Sequence, residues 1–180
     1  RKAQIFLSTL HVSLKTQKEL SEEYYNLGND YFDLENYSRA AELYQKALSY
    51  NKNSKNTTIN LIMAYQNNKK YDDAEKLIIS RYEEKTDDYN KKLILLLGKN
   101  YFLTNNFNGA INLFKEYINT YPDEVAGFYN LGLSFLKLGD AAAALENFLK
   151  AYDIDKSFVP VLYNVSNYYY NEKLYKEALP

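Results

Sequence analysis

The sequence has no cysteine and no tryptophan, a single histidine, three prolines and six glycines in 180 residues. Without cysteine there are no disulfides, no zinc–thiolate centres and no thiol nucleophiles. Such a chain suits an oxidising compartment as well as the cytoplasm, so the cytoplasm and the cell envelope or periplasm are both compatible. His11 alone, with no cysteine anywhere, cannot build a metal centre. The six glycines are isolated from one another, and none forms a phosphate-cradling loop. Acidic pairs such as Glu22-Glu23, Asp72-Asp73 and Asp87-Asp88 are adjacent in sequence. Side chains one residue apart on a helix point about 100° apart and do not converge on one substrate. Large charge of one sign is also missing. The formal net charge is −1, and arginine is confined to Arg1, Arg39 and Arg81. Phosphate binding needs clustered Lys and Arg, so a nucleic-acid partner is not expected. No apolar run approaches the roughly 20 residues that cross a bilayer; the longest is Leu93 to Leu97. The expectation is a protein that is not an enzyme, with no cofactor and no metal. Starting at Arg1 and stopping at Pro180, the sequence reads as a fragment, and a signal peptide or anchor outside it is compatible with that reading.

What the sequence does have is 20 tyrosines, abundant asparagine and a repeated phrase. Residues 24–31 read Tyr-Tyr-Asn-Leu-Gly-Asn-Asp-Tyr, and 128–135 read Phe-Tyr-Asn-Leu-Gly-Leu-Ser-Phe. An alanine and then an aromatic follow each at fixed distance: Ala40 and Tyr44, Ala144 and Phe148. Copies run through Leu97, Gly98, Tyr101, Ala110 and Phe114, and more weakly through Leu61, Tyr65, Ala74 and Ile78. A last copy, with Val165, Tyr169, Tyr175 and Ala178, is cut off. The landmark alanines fall at 40, 74, 110, 144 and 178, spaced 34, 36, 34 and 34. Leu27 and Tyr31 share a helical face one turn apart, and so do Ala40, Tyr44 and Ala47. Gly28 and Ala40 are small where two helix backbones are expected to approach closely, with aromatics on either side. Polar or glycine-bearing turns at Glu35-Asn36, Asn67 to Lys70, Asn105-Asn106 and Gly139-Asp140 separate the helices.

This period and pattern resemble the tetratricopeptide repeat. The resemblance covers residues 21–180 and implies an all-α fold, a right-handed superhelical solenoid of antiparallel helix pairs. The expected units are 21–54, 55–88, 91–124, 125–158 and a truncated 159–180. Ahead of them lies an amphipathic helix over 1–20, a degenerate repeat or cap, with apolar residues at Ala3, Leu7, Leu10 and Leu14. Ile62 at the small position, Arg81 in place of Ala47 or Ala151, and two extra residues near Asp88 predict looser stacking between the second and third repeats.

The resemblance implies that function lies on the concave face, lined by the first helix of each hairpin. Two residues before Gly28 stands Asn26, and the equivalent positions in the other repeats hold Asn60, Leu96, Asn130 and Asn164. An amide offers both a donor and an acceptor, so a ladder of them pairs with a peptide backbone whatever its side chains. Peptide-binding members of the family use such a ladder. Members that grip a chaperone tail use a charged clamp instead. Asn29, Asn60 and Lys92 fall at three of its positions, but Tyr25 and Leu96 stand where cations are needed. The candidate partner-binding set is Tyr25, Asn26, Asn29, Asn60, Met63, Lys99, Phe102, Tyr129, Asn130, Leu133, Tyr163, Asn164 and Asn167. The expected partner is another protein or a peptide segment, with no nucleic acid and no membrane span in this segment. Self-association through the truncated last repeat is a further expectation. The alternatives are a structural subunit of an envelope or secretion assembly, or the regulatory repeat region of an enzyme.

Overall fold

A computed structural model describes residues 15–83 and 87–174. Among them are nine α-helices and no strand. In chain order they are α1 (Gln17–Asp33), α2 (Tyr37–Tyr50), α3 (Lys55–Asn67), α4 (Tyr71–Arg81), α5 (Asp88–Leu103), α6 (Phe107–Thr120), α7 (Val125–Lys137), α8 (Ala141–Ile154) and α9 (Val159–Asn171). The chain divides into two compact units, residues 1–81 and 82–180. Within each, every helix packs on the next: α1 on α2, α2 on α3 and α3 on α4; then α5 on α6, α6 on α7, α7 on α8 and α8 on α9. The leading segment 1–14 and the last residues, Tyr175 and Ala178 included, lie outside the described residues. No described helix is long and apolar enough to cross a membrane.

Local chemistry sets the helix ends. Thr16 and Glu19 form a reciprocal capping box at the start of α1, which lowers the Glu19 pKa through hydrogen bonds from Thr16. Asn36, Ser54, Asp87, Asn106 and Asp140 each accept from a backbone N–H in the first turn of α2, α3, α5, α6 and α8. The hairpin turns are closed in one way. Asn36, Lys70, Asn106, Asp140 and Leu174 donate their N–H to the carbonyls of Tyr31, Tyr65, Tyr101, Phe135 and Tyr169. The residue before each donor, Glu35, Lys69, Asn105, Gly139 or Lys173, is left-handed, with φ between 57° and 85°. This is the helix-terminating motif that glycine normally occupies.

The core repeats one contact. A Cβ at Gly28, Gly98 or Gly132 would lie 2.6, 2.4 or 2.6 Å from the ring of Tyr44, Phe114 or Phe148. The landmark glycine therefore makes room for an aromatic ring sixteen residues on, and at Gly132 the added Cβ would also lie 3.1 Å from the Ala144 backbone carbonyl oxygen. In the second hairpin the same two positions hold Ile62 and Ile78, both buried. Bulk has moved from the second partner to the first, so Ile62 is accommodated inside its own hairpin. A related exchange occurs between α6 and α7. Tyr117 stands in register with Ala47 and Ala151, and Gly127, whose Cβ would meet that ring at 2.7 Å, admits it. The Tyr117 hydroxyl is buried without a hydrogen-bond partner. Arg81, in the same register, donates to the Lys52 carbonyl at 2.8 Å. Lys91 of α5 reaches Glu124 at the start of α7 (2.8 Å) and Asp88 (3.2 Å), tying the first turn of unit 2 to its third helix.

Candidate functional site

In unit 1, α1 carries Tyr25, Asn26 and Asn29, and α3 carries Asn60 and Met63. Asn29 and Asn60 meet. The Asn29 Oδ1 accepts from Asn60 Nδ2 at 2.9 Å and from the Tyr44 hydroxyl at 2.8 Å. Asn60 Nδ2 also reaches the Tyr25 hydroxyl at 3.3 Å, and the Tyr25 and Tyr44 rings tilt together at 6.1 Å. Burial pushes the Tyr44 phenol up to about 12. Three helices are thus joined by one small polar network. Asn26, the register-mate of Asn60, takes no part. It is exposed and lies beside Leu27, Glu22, Glu23 and Asp30 on α1. Leu27 is 40% exposed, whereas Leu61, Leu131 and Val165 in the same register are buried. Met63 is half-buried, and its carbonyl accepts from Asn67 Nδ2.

The network predicts a stability effect at Asn60. Asn60→Ala removes two hydrogen bonds and leaves the Asn29 acceptor with one donor. Unit 1 is expected to lose about 1–2 kcal/mol. Urea unfolding followed by circular dichroism checks this, and an unchanged midpoint would show that the network contributes nothing.

In unit 2 the amides behave differently. Asn130 and Asn164, one repeat apart on α7 and α9, each donate Nδ2 to the carbonyl one turn back, Ala126 and Pro160, both at 2.7 Å. Their donors are thereby used within their own helices, and their side-chain oxygens are left to accept. Tyr163 next to Asn164 is 67% exposed. Lys99 and Asn167 are exposed. Other members of the sequence-derived set are packing residues. Phe102 lies edge-on to Phe107 at 5.5 Å and packs on the cluster of Ala110, Ile111, Phe114 and Leu131. Tyr129 lies edge-on to Phe158 at 5.2 Å. Leu133 packs on the cluster around Phe148 and Val165. Asn164 and Asn167 border a half-enclosed cavity of ≈ 230 Å³ that also touches Leu136, Ala141, Leu145 and Phe148. That volume is below the roughly 300–1,000 Å³ of small-molecule pockets and suits a side chain.

Counting from the glycine missed Tyr44 and Ala141. Tyr44 belongs to the polar network, and the signal available was its aromatic register with a hydroxyl where Phe114 and Phe148 have none. Ala141 opens the cavity with Leu136, and the signal was the absence of any aromatic at these two positions, where each other described hairpin has at least one.

Two family models, both described as tetratricopeptide repeat, match residues 21–54 and 95–157. Solved structures agree in fold. The chain is similar to TTC0263, a thermophilic TPR protein of Thermus thermophilus (TM-score 0.68, 15% identity, 88% of this chain and 86% of that one). It is similar to PilF of Pseudomonas aeruginosa (TM-score 0.68, 23% identity, 90% and 73%). It is also similar to MamA of Desulfovibrio magneticus RS-1, residues 41 to the end (TM-score 0.66, 14% identity, 89% of each). No curated protein matches it in sequence. The helix pairs, the 34-residue register and the glycine–aromatic contact come together in one conclusion: the chain belongs to the tetratricopeptide repeat family, an all-α helical-repeat solenoid of the kind that serves as a protein-interaction scaffold.

Proposed function

We propose that this scaffold grips an extended segment of another protein on its first-helix faces, through asparagine oxygens and exposed aromatics. The observation that carries the reading is the paired state of Asn130 and Asn164. Each amide is held by its own helix through Nδ2, so its oxygen is oriented before any partner arrives. A fixed acceptor loses little rotamer freedom on binding, which is the benefit of preorganisation. Exposed Tyr163 supplies a rigid apolar surface beside one of them. In unit 1 the contribution is narrower: Asn29 and Asn60 are engaged with each other and hold the face in shape, while Asn26 is open to solvent.

The test is quantitative capture of partners from native cell lysate by the wild-type protein and by an Asn130→Ala, Asn164→Ala variant. Each oxygen contributes roughly 0.5–1.5 kcal/mol, so the double variant is expected to bind about 5–150-fold more weakly. Its thermal midpoint is expected to stay within ~1–2 °C of wild type, because each lost hydrogen bond runs to a carbonyl one turn back in the same helix and joins no two elements. Equal capture by a folded double variant would overturn the reading and favour a surface away from these faces.

A further inference from the structure

The cavity between α7, α8 and α9 is explained by comparing the same two positions in each hairpin. At the turn end of the first hairpin, Phe32 and Tyr37 meet edge to face at 5.2 Å. In the third, Phe102 and Phe107 do so at 5.5 Å. In the second, the positions hold buried Gln66 and half-buried Tyr71. In the fourth they hold Leu136 and Ala141. Ring volume is therefore missing there, and the walls have not closed over the gap. Leu136 is 45% exposed, and ≈ 230 Å³ remains open. Tyr168 also lines the opening; it stands where Ala64, Asn100 and Ser134 are fully buried and Asp30 is exposed.

We propose that this cavity receives an aromatic side chain, Phe or Tyr, carried on an uncharged or basic segment of a partner protein; this rests on the scaffold reading above and names the anchor. The ring chemistry follows from the repeat itself, which fills the equivalent place in the first and third hairpins with an edge-to-face pair. Tyr168 offers a ring surface for such a contact, and Phe148, 2% exposed, lines the cavity with no more than a small part of its ring. Charge disfavours an acidic segment. Glu172 is the single charged side chain among those lining the cavity, and Lys173, next to it in the chain, does not line it. Asn164, whose side-chain oxygen is left to accept, and Asn171 line the cavity beside the ring position and offer amide groups to the backbone next to it.

The probes are capped peptides of sequence Ser-Asn-Phe-Asn-Lys, with Ala or Glu substituted for Phe, added to the whole chain. The readout is the methyl NMR signals of Leu136 and Leu145 and the side-chain amides of Asn130 and Asn164. The Phe peptide is expected to shift both methyls with a dissociation constant of roughly millimolar order, and the Ala and Glu peptides are expected to leave them still. A Leu136→Phe, Ala141→Phe variant, which rebuilds the ring pair, is expected to bind the Phe peptide at least ~10-fold more weakly while melting no lower than wild type. Should that variant fold poorly, Ala141→Phe alone gives the same comparison. Equal methyl shifts from the Ala peptide, or full binding by a folded filled variant, would overturn the anchor. Amide shifts at Asn130 and Asn164 without methyl shifts would overturn it and leave the scaffold reading standing. Silence at both sites would overturn the anchor, while the scaffold reading falls only to equal capture by the folded Asn130→Ala, Asn164→Ala variant.

Discussion

Gly98→Ile is expected to destabilise unit 2 by about 2–4 kcal/mol, and adding Phe114→Ile is expected to restore most of the loss. A Cβ at Gly98 would lie 2.4 Å from two ring carbons of Phe114. That ring is 1% exposed, so it has no solvent-facing rotamer to escape into. The single Phe114→Ile change costs about 1–3 kcal/mol by leaving a cavity against the glycine. The double variant copies the Ile62 and Ile78 arrangement of the second hairpin, and volume-conserving exchanges in a core usually cost less than about 1.5 kcal/mol. Urea denaturation of the four proteins gives the coupling energy directly. Additive losses in the double variant would show that the isoleucine pair works only in the surroundings of α3 and α4.

Alkaline pH is expected to destabilise both units, with Tyr44 in unit 1 and Tyr117 in unit 2 the leading contributors; burial also raises the Tyr65 phenol in unit 1, and Glu124 and Asp88 raise the Lys91 ammonium in unit 2. Burial pushes Tyr44 in unit 1 and Tyr117 in unit 2 up to about 12 from the ordinary 10. Below pH 10 both phenols are protonated in the folded and unfolded chain alike, and full stability is present. Between 10 and 12 the unfolded chain gives up these protons first, so stability falls as pH rises and the contribution is lost once pH passes the folded value. Each residue accounts for about 2 kcal/mol over that interval. Tyr117→Phe is expected to flatten the loss in unit 2. It should also raise stability at neutral pH by about 1 kcal/mol, because the hydroxyl it removes is buried without a partner. Tyr44→Phe is expected to flatten the loss in unit 1 but lower neutral stability, because Asn29 loses a donor. Urea midpoints from about pH 8 to 12, with tyrosinate absorbance alongside, check these outcomes. An identical alkaline limb in Tyr117→Phe and wild type would assign the loss to other groups.

The fold was legible because its register is written in residues with few substitutes. A glycine sixteen residues before an aromatic, with an alanine four before the ring, marks a hairpin whichever aromatic is used. The second hairpin departs from that rule at both of its positions together. Ile62 is anomalous alone and ordinary beside Ile78. The candidate surface was harder to read. Equivalent positions do not meet their own equivalents: Asn60 reaches Asn29, three residues beyond its register-mate Asn26, because a first helix touches the preceding hairpin across a turn of offset. Counting from the glycine therefore grouped Asn26 with Asn60, and only contact distances separate the open amide from the bonded one. The donors of Asn130 and Asn164 were equally invisible, since bonding back to a helix carbonyl depends on side-chain rotamer and not on spacing. The cavity beside Leu136 could have been found in the sequence, by asking which described hairpin has no aromatic at either turn position.

The five left-handed turns bear on how quickly this chain reaches its native state. Each is closed by a hydrogen bond spanning five residues, and each hairpin's ring contact spans sixteen. Contacts so close along the chain cost little loop-closure entropy, and proteins dominated by them fold in microseconds to milliseconds. Glu35, Lys69, Asn105 and Lys173 hold a conformation that glycine adopts without strain, so the turn at Gly139 is the one preset for early closure. Folding is then expected to begin in the α7–α8 hairpin and spread to its neighbours, as a one-dimensional array permits.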